Sequence, residues 1–294
     1  MTELLIISVK RKHILIMSVC ISISIALGAI IRYSAVKVFV AEDEGVPLLS
    51  IMYHGFSPNK SKCGKYIITP ELFEQDMLYL IENGYSFVDT NDIAAFVSNQ
   101  KNLPQKPAMI TIDDGQYSIY EYIFPIMKKY GIKTVISPIA IESDKFSESM
   151  DLNPAYSNMC WDNIKEMSDS GLADIQNHSY NLHKLNDKVQ GCAKIKGEST
   201  QAYHTRLYDD LKRADDAIFL STGKRPLCMV YPFGKTSKEA REILDRLGYG
   251  MSVSCTEGIS IITHDEDSVH MIKRYNRPYG ISTKDFFGKI FAEK

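Results

Sequence analysis

The 294-residue sequence has few cysteines, a single tryptophan and almost no net charge. Its six cysteines form no Cys-x-x-Cys pair. Beyond Cys20, the remaining Cys63, Cys160, Cys192, Cys228 and Cys255 are scattered and odd in number. That pattern excludes a zinc–cysteine site and a dense disulfide framework, while leaving room for one bridge. A formal charge of −2 removes the electrostatic footprint of a nucleic-acid binder, so no nucleic-acid partner is expected. The sequence also lacks internal repeats, low-complexity tracts and a second domain boundary. What is left suits one large domain of barrel size.

One long uncharged run is present. Ile14 to Ile31 follows the basic cluster Lys10-Arg11-Lys12, and as a helix it would extend about 27 Å, close to the hydrocarbon thickness of a bilayer. Apolar residues on all its sides, with no polar face, argue against a buried core helix. The expectation is a cytoplasmic basic tail over 1–13, which includes His13, a transmembrane anchor over 14–31, a linker over 32–45 and a domain over 46–294. The basic cluster puts that domain outside the cell, held at the cell membrane. Ala26-Leu27-Gly28 offers the alternative of a cleaved signal peptide and a secreted product.

From Val46 onward, short apolar runs alternate with segments of helical periodicity. Val46–Tyr53 reads as a first strand ending at His54. Thr69-Pro70 starts a helix, with a hydroxyl cap and proline in the first turn. Tyr85–Val88 reads as a strand, with a short helix from about Asp92, and a loop over 101–106 leads to a central strand. Tyr120–Tyr130 reads as a helix capped by Gly131. Lys133–Ser137, Ala173–Asn177, Leu227–Tyr231, Tyr249–Ser254 and Val269–Arg274 read as further strands. Trp161–Ser170, Tyr203–Ser221 and Ser237–Leu247 read as helices, the second with Leu207, Leu211, Ala214 and Ile218 on one face. Strand–helix alternation over the whole length implies an α/β fold, a distorted parallel (β/α) barrel of seven or eight strands. Chemistry in such barrels sits at the C-terminal strand ends.

The central strand Met109-Ile110-Thr111-Ile112-Asp113-Asp114-Gly115 ends in two adjacent carboxylates. Like charges side by side repel, and a bound cation is a common reason to keep them together. His178-Ser179-Tyr180-Asn181-Leu182-His183 follows another strand, its histidines five residues apart. On a helix that spacing separates them by about 140°, which excludes a helical metal pair. They converge only if His178 ends the strand and the chain curls back. One carboxylate and two imidazoles then make a three-ligand set with room for water and substrate. Tyr231-Pro232-Phe233-Gly234 ends a further strand, and its turn offers the Phe233 backbone N–H to a developing oxyanion, or is simply a turn. Arg274 falls at the pocket rim, with Asp113 as its natural partner. Trp161 reads as core packing, with a sugar platform as the minority reading. His270 reads as a strand residue; His204 and His264 carry no signal.

These pieces together resemble the polysaccharide deacetylases of the NodB-homology class, carbohydrate esterase family four, over about Ile51 to Phe287. Thr111-Ile112-Asp113-Asp114-Gly115 is similar to that family's TFDDG motif, and Met52-Tyr53-His54-Gly55 adds to the match. The resemblance implies Asp113 as catalytic base, Asp114, His178 and His183 as ligands of a divalent metal with zinc as the default, and a polysaccharide containing N-acetylglucosamine as substrate. Three positions depart from the pattern. The histidines stand five apart instead of four, as in the poly-N-acetylglucosamine deacetylases. Val230 stands where the third motif carries an arginine. Met271-Ile272-Lys273-Arg274 replaces the late Leu-x-x-His that supplies an acid. Arg274 is then the candidate brace for Asp113, and His54 or Asp113 itself the candidate acid, with Phe233, Tyr231 and Pro232 as oxyanion or substrate contacts. The expected reaction is hydrolysis of N-acetyl groups with release of acetate. The alternatives are a barrel that binds carbohydrate without turnover and a metal amidase for a small acetamide.

Overall fold

A computed structural model describes residues 45–186 and 189–292. The expected anchor over 14–31, its basic tail and the linker to residue 44 lie outside the described residues. Among those described, no helix is long and apolar enough to cross a membrane. The strands are β1 (Val46–Tyr53), β2 (Gly55–Phe56), β3 (Ile67–Ile68), β4 (Ser86–Phe87), β5 (Pro107–Asp114), β6 (Thr134–Pro138), β7 (Ala173–Ile175), β8 (Cys228–Val230), β9 (Met251–Val253), β10 (Ser260–Ile262) and β11 (Tyr275–Asn276). The helices are α1 (Pro70–Glu82), α2 (Thr90–Val97), α3 (Phe124–Tyr130), α4 (Ala140–Ser149), α5 (Trp161–Asp169), α6 (Thr200–Thr222), α7 (Ala240–Leu247) and α8 (Thr283–Ala292).

β11, β1, β5, β6 and β7 pair in parallel in that order. The ring continues through a parallel bridge between Asn177 and Met229, then the β8–β9 pair, then a parallel bridge between Val253 and Ile272 just before β11. Two of the joints are thus single bridges, and the barrel is distorted where they fall. β4 pairs with the start of β5, and β10 runs antiparallel to the start of β1. Both lie at the end opposite Asp113 and Asp114.

The strands are apolar on both faces because both faces are buried. Met109, Leu48, Val135, Val230 and Val253 meet in one cluster inside the ring. Ile110, Ile112, Ile51 and Ile136 belong to another, beneath the helices. Side chains alternate along a strand, so Thr111 and Asp113 share the inward face with Met109. Ser137, in register with Asp113, shares it with Val135.

Several expected elements are corrected. The reading of Tyr120–Tyr130 as one helix gives way to a π-helical turn over Ile119–Ile123 and then α3; Pro125 cannot donate to the preceding turn, and the wider turn accommodates it. Val269–Arg274 is no strand: Glu266–Val269 is a 3-10 turn, Met271 has φ 58°, and pairing resumes in β11. His270 is therefore not a strand residue but the cap of that turn. The sequence reading did not include α4, β10 or α8. The five described cysteines are all free.

Candidate active site

Each candidate side chain stands at the C-terminal end of the ring. His54 follows β1, Asp113 and Asp114 end β5, His178 follows β7, Phe233 follows β8 and Arg274 leads into β11. Asp114 is turned out of the strand by a left-handed backbone, φ 70°. Gly115 follows with φ 74°, and a Cβ there would come within 2.8 Å of the Pro138 Cα, so the residue after the two carboxylates has to be glycine.

The curl between His178 and His183 is built by groups far apart in sequence. Ser179 takes φ 72°, and its N–H donates to Asn177 Oδ1 at 2.7 Å. The Tyr180 and Asn181 N–H groups donate to the two oxygens of Asp210, on α6, at 2.8 and 3.0 Å. The chain therefore doubles back, and the two imidazole centroids come to 5.2 Å.

One ligand atom each from Asp114, His178 and His183 lies within 4.8 Å of the other two. Asp114 Oδ1 is 3.5 Å from His178 Nε2 and 3.2 Å from His183 Nε2, and it is buried without a hydrogen-bond partner. Donors held about 2.0–2.1 Å from one tetrahedral zinc sit roughly 3.3 Å apart. The spacing and the orphaned oxygen both fit a divalent cation. His178 Nδ1 lies 2.7 Å from the Val230 carbonyl; donating there fixes the tautomer that leaves Nε2 free to ligate. Val230, where the family pattern carries arginine, thus contributes its backbone.

Asp113 is buried and accepts from Arg274 Nη1 at 2.8 Å and from Ser137 Oγ at 3.0 Å, both on Oδ1. Arg274 is fully buried and is held by the Ser254 carbonyl at 2.9 Å and Thr111 Oγ1 at 3.0 Å. Burial pushes the Asp113 carboxyl up, but the Arg274 charge, with His178 and His54, more than offsets it and holds its pKa below the usual value. Asp114 is likewise lowered: burial opposes ionisation, and the facing imidazoles of His178 and His183 overcome that. Burial pushes His178 down, but Asp114, Asp113 and the Val230 carbonyl bring it above its ordinary value. His54 ends below its ordinary value because burial outweighs the pull of Asp113 and Asp114.

The remaining candidates divide. Phe233 is half exposed in a left-handed conformation, φ 57°, with its ring 4.3 Å from that of His183. Tyr231 and Pro232, expected as oxyanion or substrate contacts, are both buried. Tyr231 packs in the cluster of Leu182, Leu207 and Leu211, and its N–H donates to the Val253 carbonyl at 3.3 Å. Trp161 donates its indole N–H to Asp144 at 2.8 Å, which locks it in place. The sequence reading missed Ser137, Asp210 and Asn158, whose side chain donates to the Asp114 carbonyl at 2.7 Å. Only Ser137 left a signal, a polar residue at a strand end in line with Asp113.

A cavity of 330 Å³ opens beside Asp114 and His183, lined also by Gln116, Asn158, Asn181 and Lys184. A larger depression of 560 Å³, between Pro58 and Ser282, gathers no cluster of metal-ligating side chains. The chemistry therefore belongs to the smaller one, a polar hollow beside a three-ligand cation site.

Such a site on such a barrel defines a metal-binding hydrolase of the α/β class. The polysaccharide deacetylase family profile matches residues 100–252, and the chain belongs to that family. It is 23% identical over 235 residues to the putative polysaccharide deacetylase YxkH of Bacillus subtilis, covering 80% of this chain and 74% of that one. It is 22% identical over 264 residues to the poly-beta-1,6-N-acetyl-D-glucosamine N-deacetylase of Escherichia coli, covering 83% of this chain but 38% of that longer protein. The fold is similar to that of a de-N-acetylase from Aggregatibacter actinomycetemcomitans, with a TM-score of 0.71 and 23% identity over 82% of this chain and 99% of that one.

Proposed function

We propose that the protein removes N-acetyl groups from N-acetylglucosamine units of an extracellular or cell-wall polysaccharide, releasing acetate and leaving glucosamine on the polymer. The observation that carries this reading is the convergence of Asp114, His178 and His183 beside an Asp113 braced by Arg274. Asp114, His178 and His183 would hold a divalent metal, zinc by default, which supplies Lewis-acid polarisation of a carbonyl and a lowered pKa for water.

The chain's own groups account for the proton movements. Asp113 is kept ionised by Arg274, and its two hydrogen bonds fall on Oδ1, so Oδ2 accepts the proton of the attacking water. The carbon–nitrogen bond of the acetamide breaks, and the leaving amine needs a proton. His54 follows β1, within electrostatic reach of Asp113 and Asp114, and is the candidate donor of that proton. Asp113 returning its proton is the second route. The Phe233 backbone N–H is the candidate oxyanion donor, and loss of such a group typically costs about 3 kcal/mol of barrier. Gln116, Asn158 and Asn181 line the hollow and offer hydrogen bonds to sugar hydroxyl and acetamide groups.

The relatives named for poly-N-acetylglucosamine support the choice of polymer. The length of the Ile14 to Ile31 run and the basic residues before it support a place at the cell membrane, with the barrel outside. The test is acetate release from N-acetylglucosamine oligomers before and after chelation. Release that stops on chelation and returns with zinc supports the reading; release of no acetate by metal-loaded protein overturns it.

A further inference from the structure

Beyond the ring, β2 and β3 extend the rim as a short parallel pair, and the loop 57–66 arches between them. That loop is tied down at its far end. The Gly55 N–H donates to the Tyr66 carbonyl at 3.0 Å, the Tyr279 N–H to the Gly64 carbonyl at 2.8 Å and Asn276 Nδ2 to the Lys65 carbonyl at 3.0 Å. Gly55 has no room for a side chain, because Gln116 Oε1 would lie 2.3 Å from its Cβ. The strand β2 that leads into the loop is therefore packed against a residue that lines the polar hollow.

This anchoring presents one aromatic ring. Tyr66 has its centroid 4.7 Å from that of His54, tilted by 58°, yet it remains 48% exposed. His54 Nδ1 is buried with no hydrogen-bond partner among the described residues, so no polar contact of that nitrogen fixes the imidazole. The Tyr66 ring packs against it. Across the site, the exposed ring of Phe233 lies against His183 in the same way. Two exposed aromatic rings thus stand on two imidazoles at the C-terminal end of the ring, those of His54 and His183. The exposed face of the Tyr66 ring is open to a ligand, and the hydrophobic face of a pyranose fits a flat aromatic surface.

We propose that Tyr66 is a positioning and substrate-contacting residue: its inner edge holds His54 against the leaving amine, and its exposed face receives a sugar ring of the polymer. This rests on the deacetylase reading above. The ring carries both roles, so the hydroxyl is dispensable.

The test compares Tyr66→Ala and Tyr66→Phe on two substrates, an N-acetylglucosamine oligomer and p-nitrophenyl acetate. The small ester has no sugar to grip, and its leaving group departs without a proton. Losing an aromatic contact of this kind is expected to lower kcat/KM on the oligomer by about ten-fold in Tyr66→Ala, with KM raised and kcat reduced. Ester hydrolysis should stay within about two-fold, and Tyr66→Phe should keep both activities. Oligomer turnover unchanged in Tyr66→Ala overturns the proposal. So does a parallel loss on both substrates, which marks a merely structural role, or failure of Tyr66→Phe to retain activity. Wild-type protein that hydrolyses the ester but frees no acetate from the oligomer sinks the deacetylase reading itself.

Discussion

Two aspartate–arginine pairs are buried among the described residues, and they are built differently. Asp76, on α1, receives Arg277 Nε at 2.8 Å and Nη2 at 3.1 Å, with Tyr53 and Thr283 hydroxyls at 3.1 and 2.7 Å. Both of its oxygens are occupied, and the forked contact ties α1 to the segment that leads into α8. Asp113 receives a single Arg274 nitrogen and Ser137, both on one oxygen. The other nitrogens of Arg274 turn to the Ser254 carbonyl and toward Cys255. A pair that only fastens elements satisfies every lone pair. A pair that handles a proton keeps an oxygen clear.

The pKa directions follow the same division. Burial pushes the Asp76 carboxyl up, and Arg277, Thr283 and Tyr53 bring it only part of the way back. Asp113 ends below its ordinary value. Folding therefore favours the charged form of Asp113 and disfavours that of Asp76.

The contrast can be broken most severely at the carboxylates. Asp113→Asn should lower kcat for acetate release by about 10²–10⁴-fold while metal content, read by elemental analysis, stays at the wild-type level. Asp76→Asn should leave kcat within a few-fold while lowering stability. Comparable kcat losses in the two variants would erase the distinction.

Removing each cation comes next. Arg274→Met and Arg277→Met should each destabilise by about 3–5 kcal/mol, because each leaves a buried carboxylate unpaired. Denaturant unfolding reads that loss. Per folded molecule, only Arg274→Met should also lose turnover.

Single donors give a finer comparison. Ser137→Ala and Thr283→Val each remove one hydrogen bond to a charged group, worth about 1.5–3 kcal/mol. The first should appear mainly in kcat, the second in the unfolding midpoint with kcat unchanged.

The smallest effect is in pH dependence. Asp113, with its folded pKa below the unfolded value, contributes stability that is present above the ordinary carboxylate range and is lost as pH falls through the folded value. Asp113→Asn should flatten stability below about pH 4. Asp76 has the opposite sign: its penalty is present above its folded pKa and is relieved as pH falls through it. His178 behaves as a base with a raised pKa in metal-free protein. Its contribution is fully present below about pH 6.5 and is lost as pH rises through the folded value. Metal must displace that proton, so zinc affinity should weaken as pH falls through the same range.

Much of this was legible in the sequence, for identifiable reasons. Strand–helix alternation pointed to the ring, and the rule that chemistry collects at strand ends picked out Asp113, Asp114 and His178; Arg274 was reached through an expected strand that the structure lacks. The hairpin that unites His178 with His183 was not legible. It depends on Asp210, about thirty residues away on α6, and on a left-handed Ser179 that no local pattern demands. The side to which Tyr231 points was not legible either, because a strand-end residue can face either side of the ring. Helix α4 escaped notice since Ala140, Ser143 and Phe146 are its only buried residues, too sparse a stripe to read. Half of the described non-glycine residues with positive φ, Asp114, Ser179 and Phe233 against Asn99, Met150 and Met271, are at the site. Backbone strain gathers where side chains must be aimed, and local propensity cannot report it.

The central claim is that Asp114, His178 and His183 grip one cation. Calorimetric titration of zinc into chelator-stripped protein tests it most directly, with His183→Ala and Asp114→Asn run alongside. One ion bound per wild-type chain, with binding lost or severely weakened in both variants, is the expected result. Zinc binding that survives unchanged in either variant would contradict it.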